Sequence, residues 1–148
     1  MSMATDWVTL HGSCHCGKLR VDFSTGLNLE NVTPRACDCA FCRKHGAAYV
    51  SDPAGRLSVS SSQSAVHKYR QGSNAADFLI CAYCGVLVAV TYEHNFRIYG
   101  AVNTGCLDGH NRLGSSSPAS PQALNQDEKI SRWLQLWVPD VQMVTSGA

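Results

Sequence analysis

The chain has 148 residues, 45% of them hydrophobic, and a formal charge of +1. That length suits one domain, 1–148, with a real core, and is too short for two comfortable ones. The composition indicates neither disorder nor a nucleic-acid footprint, because the twelve Lys and Arg never gather into a block of five or more. No apolar run approaches the ~18 residues needed to cross a bilayer, so no membrane association is expected. The opening MSMATDWVTLHGS lacks a basic segment followed by an apolar one. No secretory signal is therefore expected, and a cytoplasmic location is. In such a reducing compartment eight cysteines favour metal over disulfides.

Trp7 to His11 alternates, with Val8 and Leu10 on one face, and predicts a strand. Cys14-His15-Cys16-Gly17 follows, and Leu19, Val21 and Phe23 alternate with Lys18, Arg20 and Asp22 as a second strand. The first cysteine pair is thus expected in a tight turn between two strands. Residues 24–35 are rich in turn formers and read as loop. One helical turn is expected from Phe41 to His45, a strand from Ala47 to Ser51, and another around Leu57 and Val59. Ser60 to Ser64 reads as a polar connection, and Val66 to Arg70 as a strand.

Phe78-Leu79-Ile80 runs into Cys81-Ala82-Tyr83-Cys84-Gly85 and out through Val86 to Val90. This repeats the first knuckle: strand, close cysteines, glycine, strand. The second arm is nearly all apolar, which suits a strand buried on both faces. Asn95 to Val102 continues as a strand. Asn103 to Pro121 is rich in Gly, Ser and Pro and is expected to be exposed and mobile. Ile130, Trp133, Leu134 and Trp137 fall at helical spacing and predict a short C-terminal helix opened by Gln126 to Glu128. Many short strands separated by turn signals predict an all-β domain.

The chemistry is carried by cysteine spacing. Cys14/Cys16 and Cys81/Cys84 are each too short to fill a tetrahedral site, but together they have the composition of a closed structural zinc site. Cys37-Asp38-Cys39-Ala40-Phe41-Cys42 offers three thiolates to a second ion and leaves a fourth position open, the mark of a catalytic zinc. The expected cofactor is therefore Zn2+, two ions per chain. A divalent ion held by three thiolates carries net negative charge, which Arg43 and Lys44, directly following, could offset. Such an ion is a weak Lewis acid, better suited to presenting a thiolate than to making hydroxide. A zinc-bound thiol is deprotonated at neutral pH.

Gly-Ser-Cys-His-Cys-Gly (12–17), Cys-Asp-Cys-Ala-Phe-Cys-Arg-Lys-His-Gly-Ala (37–47) and Cys-Ala-Tyr-Cys-Gly (81–85) together resemble the glutathione-dependent formaldehyde-activating enzyme family, which includes the centromere protein V relatives. The resemblance spans about residues 10–108, fills all seven cysteine positions, and leaves a divergent tail at 109–148 with a serine-rich insert at 114–121. It implies antiparallel sheets built around zinc. It also implies that Cys14, Cys16, Cys81 and Cys84 are structural ligands and that Cys37, Cys39 and Cys42 are catalytic ones. The implied activity is that of a carbon–sulfur lyase, joining glutathione or a similar thiol to a small aldehyde such as formaldehyde, as in S-hydroxymethylglutathione synthesis.

Other readings stay open at this point. Both zincs could be structural, with His45 or His15 completing the second site and the chain serving as a non-catalytic, zinc-stabilised scaffold for a protein partner. His45 could reach the metal, shuttle a proton, or face solvent. Arg43 and Lys44 could grip substrate carboxylates or simply be solvated. Cys106 reads as a packed thiol without a role. Tyr49, Tyr83 and Tyr92 read as core or rim aromatics. Trp133 and Trp137 read as cover for apolar surface, with a place over the substrate cleft as the sharper option. The thiol, the aldehyde and the oligomeric state, a homo-oligomer included, are not fixed by sequence.

Overall fold

The computed structural model describes residues 7–71, 74–120 and 123–146. The chain forms two sheets and a helical layer. The first sheet has the order β1-β2-β5-β11 and the second β10-β3-β4-β9-β8-β7-β6. The strands are β1 (Val8–Ser13), β2 (Leu19–Thr25), β3 (Arg35–Cys37), β4 (Ala48–Val50), β5 (Arg56–Ser62), β6 (Val66–Tyr69), β7 (Asp77–Cys81), β8 (Leu87–His94), β9 (Arg97–Asn103), β10 (Ser117–Ala119) and β11 (Gln142–Ser146). Among the described residues the α-helices are α1 (Ala40–His45) and α2 (Gln126–Leu136). Pairing is antiparallel except at two sheet edges, where β10 lies parallel to β3 and β11 parallel to β5. The expected all-β, mainly antiparallel fold with a short C-terminal helix is what the chain adopts.

Period-2 alternation explains the layering. On β2, Leu19, Val21, Phe23 and Thr25 are buried while the residues between them are more exposed. The central strands of the seven-stranded sheet are buried on both faces. Val50, Leu79, Val88, Ala89 and Val102 point into the core shared with the first sheet, with Leu10, Leu19, Val21, Phe23, Leu57 and Val59. Their neighbours Tyr49, Phe78, Leu87, Val90 and Ala101 point the other way, toward Cys42, Trp133 and Trp137. A central strand covered on both sides cannot alternate in polarity, which is why β8 reads as an unbroken apolar run.

Helix α2 starts at a capping box. Asn125 accepts from the Glu128 backbone N–H at 2.8 Å, and the Glu128 carboxylate accepts from the Asn125 N–H at 2.9 Å. The reciprocal bonds satisfy two of the orphan donors at the helix start. Stacked Trp133 and Trp137, ring centres 4.9 Å apart, lay the apolar face of α2 on the seven-stranded sheet.

Several expectations are corrected. The loop expected over 24–35 contains a 3-10 turn at Leu29–Asn31, and β3 begins at Arg35. The polar connection expected at Ser60 to Ser64 is strand as far as Ser62, because β5 pairs on both sides, with β2 and β11. The stretch 103–120 is largely exposed, as expected, but it is anchored to the fold. Cys106 and Leu107 are buried, and Gly12 bridges to Leu107. Ser117–Ala119 then takes the open edge of β3, with Ser117 opposite Arg35 and Ala119 opposite Cys37. The turn-forming composition describes the backbone's local habit, but the apolar anchors and an unpaired strand edge decide its place.

Candidate metal and thiol site

The two glycine-followed knuckles have the same geometry. Each first cysteine sits at a strand end and closes the turn through its backbone N–H, Cys14 to the Leu19 carbonyl at 3.0 Å and Cys81 to the Val86 carbonyl at 3.0 Å. Gly17 and Gly85 take φ of 84° and 81°, the left-handed region that favours glycine. Backbone N–H groups then point at sulfur: Leu19 to Cys14 Sγ at 3.3 Å, and Tyr83 and Cys84 to Cys81 Sγ at 3.4 Å each. The turns face one another, and Cys14, Cys16, Cys81 and Cys84 bring their four sulfurs within 4.8 Å of one another.

The spacing fits a tetrahedral ion. Bonds of about 2.3 Å to four sulfurs imply an S–S edge of about 3.8 Å. Cys16 Sγ lies 3.7 Å from Cys14 Sγ and 3.6 Å from Cys81 Sγ. Cys84 is drawn down to about 6: burial opposes ionisation, and the backbone N–H groups of Cys16 and Val86 outweigh it. The cluster joins the β1–β2 turn to the β7–β8 turn, 65 residues apart between Cys16 and Cys81.

Cys37, Cys39 and Cys42 form the second cluster, also within 4.8 Å. Cys37 ends β3. Cys39 is the N-cap of α1, and its Sγ accepts from the Cys42 backbone N–H at 3.4 Å, as a capping serine oxygen would. Gln71 Nε2 approaches the same sulfur at 3.8 Å. Cys42 lies three residues beyond the cap, on the face turned inward, and its Sγ is 3.2 Å from the Tyr49 hydroxyl. Cys37 is drawn down to about 6, first by a hydrogen bond from the Cys42 thiol, against burial, and further by the Cys39 backbone N–H. Cys42 is pushed up by the same bond and by burial. Burial pushes the Tyr49 hydroxyl up, so it remains a donor.

The two clusters differ in their surroundings. The second opens onto a cavity of about 300 Å³. The lining is apolar at Ala76, Phe78, Val90, Trp133 and Trp137 and cationic at Arg35, Lys129 and Arg132. Arg35 and Cys37 share a strand face, and Tyr49 is the cross-strand partner of Arg35. The Arg35 guanidinium donates to Ser51 Oγ at 2.7 Å, and burial, with the charge of Arg132, holds it down at about 10.

Sequence reasoning placed the seven cysteines in the two groups the chain brings together. Arg43, Lys44 and His45 follow Cys42 but are exposed and do not line the cavity. The His45 ring instead packs at 4.6 Å from that of Phe41. A helix turns about 100° per residue, so cations immediately after an inward cysteine face outward. Arg35, Lys129, Arg132, Gln71 and Tyr49 are the polar lining that sequence reasoning missed. One signal was available: Arg35 stands two residues before Cys37, the period that puts both on one strand face. Cys106 is a buried thiol whose Sγ lies 3.3 Å from the Leu87 carbonyl, and burial pushes it up to about 11. Trp133 and Trp137 line the cleft.

A model of the glutathione-dependent formaldehyde-activating enzyme family matches residues 9–121. The chain belongs to that family. The match runs past the expected limit near residue 108 and takes in β10, and among the described residues α2 and β11 lie beyond it. No curated protein matches the chain. A crystal structure of a Rhodobacter sphaeroides protein is similar in fold, with a TM-score of 0.51 and 24% identity, covering 72% of this chain and 99% of that one. Among the described residues no helix is long and apolar enough to cross a membrane.

Proposed function

We propose that this family member adds a low-molecular-weight thiol, glutathione or a similar one, to a small aldehyde such as formaldehyde, a carbon–sulfur lyase-type reaction. The observation that carries the reading is the contrast between the clusters. Four sulfurs close one of them, whereas three sulfurs line a cavity large enough for a small molecule in the other. Cys14, Cys16, Cys81 and Cys84 would hold a structural zinc, and Cys37, Cys39 and Cys42 a catalytic one. Zinc at the three-cysteine cluster would supply the acidity that keeps a thiol ionised at neutral pH.

The chain's own residues provide the rest. The backbone N–H of Cys42 and the Gln71 amide hold Cys39 Sγ in place, and the Tyr49 hydroxyl holds Cys42 Sγ. The apolar wall of Phe78, Val90, Trp133 and Trp137 thins the water around a nucleophilic sulfur, which strengthens its attack on a carbonyl carbon. The cations Arg35, Lys129 and Arg132 offset the negative charge of the thiolate cluster. New carbon–sulfur and oxygen–hydrogen bonds form, the carbonyl π bond breaks, and the proton lost by the thiol is balanced by one gained at the new alkoxide.

The test has two parts, because the addition also proceeds without an enzyme. Adduct formation from glutathione and formaldehyde is measured above the buffer rate, for the zinc-loaded protein and for Cys39→Ser. Cobalt-substituted protein is titrated with glutathione and its visible bands followed. Two cobalt equivalents with thiol-sensitive bands, and a catalysed rate lost in Cys39→Ser, are expected. A rate equal to background across several thiols and aldehydes, with bands indifferent to thiol, would sink the proposal.

A further inference from the structure

Helix α2 lies beyond the stretch the family model covers, yet it and its C-cap residue Trp137 supply four cavity residues. Lys129, Arg132, Trp133 and Trp137 are spaced by three, four and eight residues from Lys129, so they share one helix face. That face is half cationic and half aromatic, and it lines the cavity together with Arg35 from β3.

The cations there are not matched by acids. Among the described residues, Arg35, Lys129 and Arg132 take part in no ion pair. The Arg35 side chain has one hydrogen bond, to Ser51 Oγ, and its remaining N–H donors have no partner among the described residues. Asp38 is the acid nearest Arg35 in sequence and Glu128 the one nearest Lys129 and Arg132, but neither is part of the lining: Asp38 accepts from Ser120 Oγ at 2.6 Å and Glu128 from the Asn125 backbone N–H at 2.9 Å. Three cations also outnumber the single net negative charge of a divalent ion held by three thiolates. The surplus faces a cavity about 300 Å³ in volume. Two guanidinium groups in one cavity lining that holds no Asp or Glu suit an anion that bridges them, and a carboxylate accepts such planar forks in pairs.

Reach is set by the strand. Arg35 and Cys37 are two residues apart on one face, about 6.8 Å along β3. A carboxylate held at Arg35 therefore lies within a few bonds of a sulfur held at the cysteine cluster. We propose that Arg35 and Arg132, with Lys129 beside them, form a carboxylate subsite, so that the thiol used by this chain is an anionic one selected by α2. The inference rests on the thiol-addition reading above and adds the substrate class and the residues that recognise it.

The probe is S-methylglutathione, which keeps the carboxylates of glutathione but has no free thiol. Binding to the zinc-loaded protein is followed through tryptophan fluorescence, since two of the chain's three tryptophans stack in the cavity wall. The acid is expected to bind at least about tenfold more tightly than its dimethyl ester, and Arg132→Gln to erase most of that preference while leaving ester binding unchanged. Lys129→Gln is a second variant, at a position with no side-chain hydrogen bond among the described residues, should Arg132→Gln fold poorly. Equal binding of acid and ester, or a preference unchanged in both variants, would overturn the subsite. Acid-selective binding by a protein that adds no thiol to aldehydes would instead leave the subsite standing and overturn the reaction. Equal catalytic efficiency with glutathione and its dimethyl ester would do the reverse.

Discussion

The Tyr49 hydroxyl lies 3.2 Å from Cys42 Sγ, and both groups are buried. A phenol pushed up by burial keeps its proton, so it donates to the sulfur and stabilises the thiolate form. Tyr49→Phe keeps the ring and removes that one donor. Groups that orient a metal ligand from behind typically contribute about tenfold or more to affinity. The variant is expected to release metal from the three-cysteine cluster about tenfold more readily, with the four-cysteine cluster unchanged. Competition with a chromophoric chelator, read as two separate phases, checks this.

The clusters are expected to separate stability from chemistry. Structural zinc in small domains contributes on the order of 10 kcal/mol, against a net domain stability of about 5–15 kcal/mol. The four-cysteine cluster joins the β1–β2 and β7–β8 turns, so Cys16→Ser is expected to unfold the chain or lower its melting temperature sharply. Cys39→Ser is expected to melt close to the parent and to lose the response to thiol. Thermal melts with and without chelator distinguish the two. If Cys39→Ser were the more destabilised, both clusters would be structural and the scaffold reading would return.

Much of this was legible because two physical signals are strong. Alternating burial writes β2 and the first half of β5 directly into the sequence, and the two knuckles are marked by a glycine that must adopt positive φ. The missed strands share a different origin. Strands β10 and β11 are edge strands held parallel to β3 and β5, and short edge segments such as Ser117–Ala119 have no alternation to read. Their positions are decided by open backbone edges elsewhere in the fold. The cavity cations were hidden for a related reason. Arg132 looks like any solvated helix cation until α2 is docked, whereas Arg43 and Lys44 attract notice by standing next to Cys42 and then face away from the cavity.

Metal-free protein is expected to show uneven thiol reactivity. Cys37 and Cys84 are drawn down to about 6, so both are mostly thiolate at pH 7. Cys42 and Cys106 are pushed up and buried, so they remain thiols. The sign follows from the lowered values: alkylation of Cys37 and Cys84 is present above pH 6 and falls away below it, by tenfold per pH unit. Brief iodoacetamide treatment with peptide mass mapping should label these two first. Zinc should protect both.

Ser51 ties Arg35 of the cavity lining to α2. Its hydroxyl accepts from Arg35 at 2.7 Å and donates to the Leu136 carbonyl at 2.6 Å, across 85 residues of sequence between Ser51 and Leu136. The serine is buried, so Ser51→Ala leaves two polar groups without their partner, at a cost of about 1–3 kcal/mol. Thr104→Ala is the matched control: its hydroxyl donates to the Ala48 carbonyl at 2.7 Å, and it does not line the cavity. Both variants are expected to lose stability in a denaturant titration. Only Ser51→Ala should also raise KM for an anionic thiol, by several-fold, with kcat little changed, because Arg35 and the C-terminal end of α2 lose their common anchor. Equal effects on KM in both would mean that Ser51 supports the fold alone, and that α2 is held over the cavity by the packing of Trp133 and Trp137 without help from the polar tie.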